Sequence, residues 1–126
     1  MTHRAGRKLT LAVGLAVAAA CAQPYAKPYV GKWSRVSDNG GPIELTIKPT
    51  GTFEIRLARP PQPSDSLMRG PGVFRGDTVS FSGAKCEPGA ARYALERSDS
   101  SLTITQIGND GCALRRATLA GVWKRE

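Results

Sequence analysis

A period of two is the feature of this chain that most restricts its fold. In "PIELTIKPTGTFEIRLA", residues 42–58, Ile43, Leu45 and Ile47 alternate with Glu44, Thr46 and Lys48; beyond the "PTG", Phe53, Ile55 and Leu57 alternate with Glu54 and Arg56. Side chains leave a β-strand on opposite faces in turn, so this pattern describes two strands, each apolar on one face and polar on the other, joined by a tight turn. "ARYALERSDSSLTITQI", residues 91–107, repeats the device, with Tyr93 and Leu95 set against Leu102 and Ile104 across "SDSS". "GVFRGDTVSFSG" gives two short strand pieces around Gly76-Asp77, with Val79 and Phe81 on one face, and residues 121–124 give a last strand carrying Trp123. "ARPPQPSDSLMRGPG", residues 58–72, holds four prolines and is expected to be a long loop, because proline cannot donate to a sheet ladder. Helical spacing is confined to a turn at 113–119. The expected fold is all-β, a small antiparallel up-and-down β-barrel of about eight strands whose first strand pairs with its last, since closure removes exposed edges.

The first 20 residues are expected to fall outside that domain. Arg4, Arg7 and Lys8 precede "LTLAVGLAVAAA", an uncharged apolar run of 12 residues, which is too short to span a bilayer and has the layout of a secretory signal. Two cleavages compete: an ordinary one after Ala20 or Ala22, and lipoprotein processing before Cys21. Residues 17–21 resemble a bacterial lipobox, which implies an acylated Cys21 and a membrane attachment through lipid. Residues 21–30, with "QPYAKPYV", read as a tether, and 31–126 as a single domain with one modest core.

Loss of Arg4, Arg7 and Lys8 lowers the net charge from +8 to +5. The remaining basic residues are scattered, without a stacking platform or a recognition helix, so nucleic acid is not an expected partner. His3 is the only histidine and leaves with the signal, taking with it the commonest general base and metal ligand. Neither a metal site nor a cofactor is expected. Paired carboxylates are the remaining catalytic possibility, and Glu44 and Glu54 across a hairpin read as solvated charges, so the chain is expected not to be an enzyme.

In an exported chain, three cysteines divide into Cys21 at the anchor and two that can pair, Cys86 and Cys112. That bond would close a loop of about 27 residues and contribute roughly 3.5 kcal/mol on the chain-entropy account. The opening of the first strand, "GKW" at Gly31 to Trp33, resembles the Gly-x-Trp signature of lipocalins, in which a late arginine packs across the tryptophan. "CEPGAARYALERSDSSLTITQIGNDGCALRRATLAGVWKR" resembles the second half of small bacterial lipocalin-like exported proteins through Cys86, Tyr93, Leu102, Thr103, Asp110, Cys112, Arg115 and Trp123. The resemblance implies a structural clasp of Gly31, Trp33, Asp110 and Arg115. A guanidinium on an indole face and an aliphatic stem over apolar surface would close one end of a barrel. Asp110 would hold that guanidinium or cap the turn, and Arg116 is the alternative partner.

Function then turns on the inward face. Leu45, Ile47, Phe53, Ile55, Leu57, Val79, Phe81, Leu95 and Ile104 would line any cavity, giving a cell-envelope lipocalin-like lipoprotein that binds a small apolar ligand without chemistry. The alternative is an envelope inhibitor of a protease or of lysozyme on the same disulfide-braced barrel, offering the proline-rich loop with Leu67 and Met68 to a partner's cleft. Both readings place the protein in a bacterial cell envelope, lipid-anchored at the periplasmic face of the outer membrane or free in the periplasm.

Overall fold

The structure, a computed structural model, describes residues 22–37, 41–58, 66–82 and 89–126. Nine strands form one antiparallel sheet: β1 (Gly31–Val36), β2 (Pro42–Ile47), β3 (Phe53–Leu57), β4 (Ser66–Gly70), β5 (Gly72–Arg75), β6 (Thr78–Phe81), β7 (Ala91–Arg97), β8 (Ser101–Ile107) and β9 (Gly121–Arg125). A 3₁₀ helix, Pro24–Tyr29, precedes β1, and a short helix α1, Ala113–Leu119, lies between β8 and β9. The spatial order β4-β3-β2-β1-β9-β8-β7-β6-β5 is a meander in which β1 and β9 are neighbours, so the first strand does pair with the last. The result is a nearly closed all-β barrel.

The alternation sets the register. Ile43, Leu45 and Ile47 stand opposite Leu57, Ile55 and Phe53, so the apolar faces of β2 and β3 coincide. Leu95 stands opposite Ile104 in the same way on β7 and β8. The expected loop at 58–72 contains a strand. Ser66–Gly70 pairs with β3 across a register shift at Ile55/Arg56 and buries Met68, while residues 59–65 lie outside the described residues.

The two free edges, β4 and β5, are joined by Pro71 alone, a residue that could not serve inside a ladder. There the seam is closed by other means. The Gly72 N–H donates to the Gly51 carbonyl at 3.1 Å. A Cβ on Gly51 would come within 2.6 Å of the Gly72 carbonyl oxygen, and one on Gly72 within 2.8 Å of the Gly51 oxygen, so neither site accepts a side chain. Gln23 completes the edge: its amide donates to the Gly72 carbonyl at 2.8 Å and to Thr50 at 2.9 Å, and accepts from the Phe74 N–H at 3.0 Å. The side chain thereby stands in for a tenth strand's peptide group.

That contact revises the expected tether. Ala26 and Tyr29 are buried in the barrel's core, and Tyr29 stacks on Phe74 with ring centres 6.0 Å apart. From Gln23 onward the segment is part of the domain. Cys21 and the expected signal lie outside the described residues.

Candidate functional site

The expected ligand lining is the first place to look. Leu45, Phe53, Ile55 and Phe81 retain no accessible surface, and Ile47, Leu95 and Ile104 retain 4% or less. A cavity able to hold a ligand leaves its lining open to a probe of water size, and these side chains are not open. The Phe53 and Phe81 rings meet at 4.5 Å, and Phe81 also touches Phe74 and Tyr93 at 6.1 and 6.0 Å. The inward alternation builds a packed centre at these positions. Leu57 is not part of it: at the end of β3, opposite Ile43, it is 38% exposed. Met68, expected as an exposed anchor, is 1% exposed.

The opening of α1 answers what Asp110, Cys112 and Arg115 do. Arg115 is 1% exposed and forms a two-pronged pair with Asp110, Nε to Oδ2 at 2.9 Å and Nη2 to Oδ1 at 2.8 Å. The Tyr93 hydroxyl donates to Asp110 Oδ2, and the Cys112 N–H donates to Oδ1 at 2.9 Å. Asp110 therefore does both things expected of it as alternatives, holding the guanidinium and capping the turn. Hydrogen bonding from Arg115, ahead of the opposing effect of burial, lowers the Asp110 carboxyl to a pKa of about 2. Burial, then the bond to Asp110, raises the Tyr93 phenol. Among the described residues, no buried side-chain polar atom is left without a partner. Both Asp110 oxygens accept two hydrogen bonds each, so the knot reads as a brace.

Arg115 does not reach Trp33, which corrects the expected clasp. Trp33 is covered by Arg125, 5.0 Å from the ring centre, and more loosely by Arg97 at 6.0 Å. Arg116 is not the substitute either; it reaches back to the Asp110 carbonyl at 2.9 Å. The segment that carries both arginines is helical, and about 100° per residue separates their directions.

The true clasp is a repeated motif that sequence reasoning missed. "GKWSR", 31–35, and "GVWKR", 121–125, share Gly-x-Trp-x-Arg, and period two puts Gly, Trp and Arg of each on the barrel's inner side. Trp33 stands opposite Arg125 in the β1–β9 ladder, and the same register sets Arg35 opposite Trp123. Each arginine lies over the other strand's tryptophan: Arg35 is 5.1 Å from the Trp123 ring. Each guanidinium also lies against the other motif's glycine, where an added Cβ would be 3.6 Å from Arg125 at Gly31 and 3.2 Å from Arg35 at Gly121. Both glycines have φ near +143°, at 142° and 144°, a conformation side chains resist. Both indole N–H groups donate four residues back at 3.0 Å, Trp33 to Tyr29 and Trp123 to Leu119. The second copy of the motif was visible in the sequence.

Outside the barrel, the two halves of the sheet carry different charge. On β2, β3 and β4, Glu44 stands opposite Arg56 and Glu54 opposite Arg69. The two carboxylates weighed as a catalytic pair thus each face an arginine in register. On β5, β6 and β7 the outward residues are Val73 and Arg75, Thr78 and Ser80, then Arg92 and Ala94. They border an open groove of about 460 Å³ lined by Val73, Arg75, Thr78, Val79, Ser80 and Arg92. Among the described residues, no group of three His, Cys, Asp or Glu side chains comes together as a metal site would need.

No family model, no curated protein and no solved structure matches the chain. The structure itself shows an antiparallel, nearly closed barrel.

Proposed function

We propose that the chain is an exported, envelope-held, lipocalin-like binding domain without catalytic chemistry, and that it meets its ligand or partner on the outside of the barrel. The observation that carries this is the packing of the interior: residues that would line a carrier's cavity, Leu45, Phe53, Ile55 and Phe81, are closed even to water. Their packing speaks against a small apolar ligand seated beside them, the first expectation. The outer groove of β5 to β7 and the loops remain. In this reading Cys21 is acylated after removal of residues 1–20. With Gln23 already fixed to the β2–β3 turn and the edge of β5, the barrel would be held close to the membrane.

We further propose that Cys112 is bonded to Cys86, which lies outside the described residues. Cys86 and Cys112 are the two cysteines of the domain, and an exported chain favours their pairing. The bond would add a second hold on the segment already gripped by Asp110.

The test has two arms. Growth in a bacterial host with labelled fatty acid should label the protein and leave a Cys21→Ala variant unlabelled; label retained by the variant, or absent from the parent, refutes the anchor. Native mass spectrometry of protein taken from its own envelope should show a bound ligand or partner that survives substitutions in the core. A specifically bound hydrolase would turn the reading to the inhibitor.

A further inference from the structure

We propose that the groove on the outer face of β5–β7 is a binding site for a phosphate group, one carried on a ligand with a small apolar portion. This rests on the outer-surface reading above and names the chemistry that such a surface would select.

The register sets out the groove. β6 runs along its floor, with Ser80 opposite Val73 on β5 and Arg92 on β7, and Thr78 opposite Arg75 on β5. Arg75 and Arg92 therefore flank β6 from opposite sides, two strands apart and offset by two residues. Standard strand spacing and rise separate their Cα atoms by about 12 Å, a gap that two arginine side chains can close onto one small anion. Both border the same groove. Among the described residues neither guanidinium forms an ion pair or a hydrogen bond, in contrast to Arg35, Arg115 and Arg116, which are all engaged. The Glu44–Arg56 and Glu54–Arg69 oppositions of the other half have no counterpart here: across β6, Arg75 faces Thr78 and Arg92 faces Ser80.

The hydroxyls divide the work. Thr78 Oγ1 donates to the Arg75 carbonyl at 3.0 Å, so it offers lone pairs only. The Ser80 hydroxyl makes no such bond and can donate. Two guanidinium forks and one hydroxyl donor suit a tetrahedral oxyanion with several acceptor oxygens, and arginine matches that geometry in a way lysine does not. Val73, 51% exposed on the groove's wall, supplies an apolar surface for what the phosphate is attached to. The nearest carboxylate in sequence, Asp77, lies in the turn between β5 and β6; burial first, and then the Asp77 charge, raise the Tyr29 phenol. The volume falls within the ordinary range for small-ligand sites.

A phosphate can be presented by a lipid headgroup or by a soluble ester, and the test separates the two. The mature protein, ¹⁵N-labelled, is titrated with inorganic phosphate and with a phosphomonoester. In parallel it is floated with vesicles of phosphatidylcholine containing phosphatidylglycerol, against pure phosphatidylcholine. Saturable shifts of the Thr78, Val79 and Ser80 amides are expected, weakened about tenfold or more in Arg75→Gln and Arg92→Gln. Both residues point to solvent, so unchanged melting temperatures would show that the variants are folded. Shifts together with arginine-dependent flotation identify a headgroup; shifts alone identify a soluble ligand. Absence of saturable shifts with either probe, or equal shifts in the variants, overturns the site. A partner bound elsewhere on the barrel in native mass spectrometry would still leave the outer-surface reading standing.

Discussion

The two Gly-x-Trp-x-Arg segments are alike in sequence and in the clasp they make, and they differ in what holds each from behind. The first follows a 3₁₀ helix containing Pro24 and Pro28, tied down by the neutral amide of Gln23. The second follows α1, tied down by the buried Asp110–Arg115 pair and Tyr93. Their arginines differ accordingly. Arg35 lies over Trp123 and also donates to the last carbonyls of α1, to Thr118 at 2.9 and 3.2 Å and to Ala117 at 2.9 Å. The end of an α-helix leaves such carbonyls unpaired and partially negative, so a guanidinium there does two jobs. Arg125 meets a segment whose last carbonyl, at Tyr29, is already taken by the Trp33 indole, and its contact is with the ring. One motif therefore makes two unequal joints, one reinforced by charge and one by amide hydrogen bonds.

The largest consequence should come from the buried charge. Asp110→Ala strands Arg115 in the core and should lower unfolding free energy by about 3 to 5 kcal/mol, measured by urea denaturation. Gln23→Ala, at the first joint, should cost only about 1 to 2 kcal/mol through its lost hydrogen bonds. Equal losses would erase the distinction. Replacing the pair together, Asp110→Leu with Arg115→Met, should cost less than Asp110→Ala alone, since no charge is then left unpaired.

The arginines rank next. Arg35→Ala is expected to cost about 2 to 3 kcal/mol, combining the ring contact with the helix carbonyls. Arg125→Ala, at a more exposed residue, should cost about 0.5 to 1 kcal/mol. The reverse order in a thermal or urea melt would show that the helix carbonyls contribute nothing to the clasp.

Acid gives a third comparison. The Asp110 carboxyl has a lower pKa in the folded chain, about 2 against an ordinary 3.8. Its contribution is therefore complete above the ordinary value and is lost as pH falls from about 4 toward 2. That amounts to about 2 kcal/mol. Urea midpoints across this window should fall in the parent, and the component due to Asp110 should vanish in Asp110→Asn. An unchanged acid limb in the variant would mean that other carboxylates govern it.

How much of this the sequence disclosed depends on whether the signal was local. Alternation in 42–58 and 91–107 fixed the faces of β2, β3, β7 and β8, because period two is written in adjacent residues. β4 was hidden behind the prolines at 60, 61 and 63, since Ser66–Gly70 contributes only Leu67 and Met68 to a pattern. Arg115 was assigned to the wrong ring because the choice among arginines depends on the β1–β9 register, a contact between residues about 90 positions apart. The repeated Gly-x-Trp-x-Arg would have pointed to Arg35 and Arg125. Whether inward residues pack or enclose space was not legible at all: Phe53 and Ile55 alternate identically in either case, and only the meeting of rings across the barrel decides it. The groove was equally silent, because Arg75 and Arg92 belong to strands that the chain separates by 17 positions and the sheet places on either side of β6.

The central proposal is that this barrel, packed at its described inward residues, binds on its outer face, and the most direct measurement is a titration of the mature protein with a fatty acid and an apolar fluorescent probe, followed by side-chain NMR of Leu45, Ile55, Phe53 and Phe81. The packed interior predicts no saturable binding at micromolar concentrations and no shifts at those four residues. Saturable binding that moves their resonances, and that Leu45→Trp abolishes in a protein still folded, would contradict it and return the function to the barrel's interior.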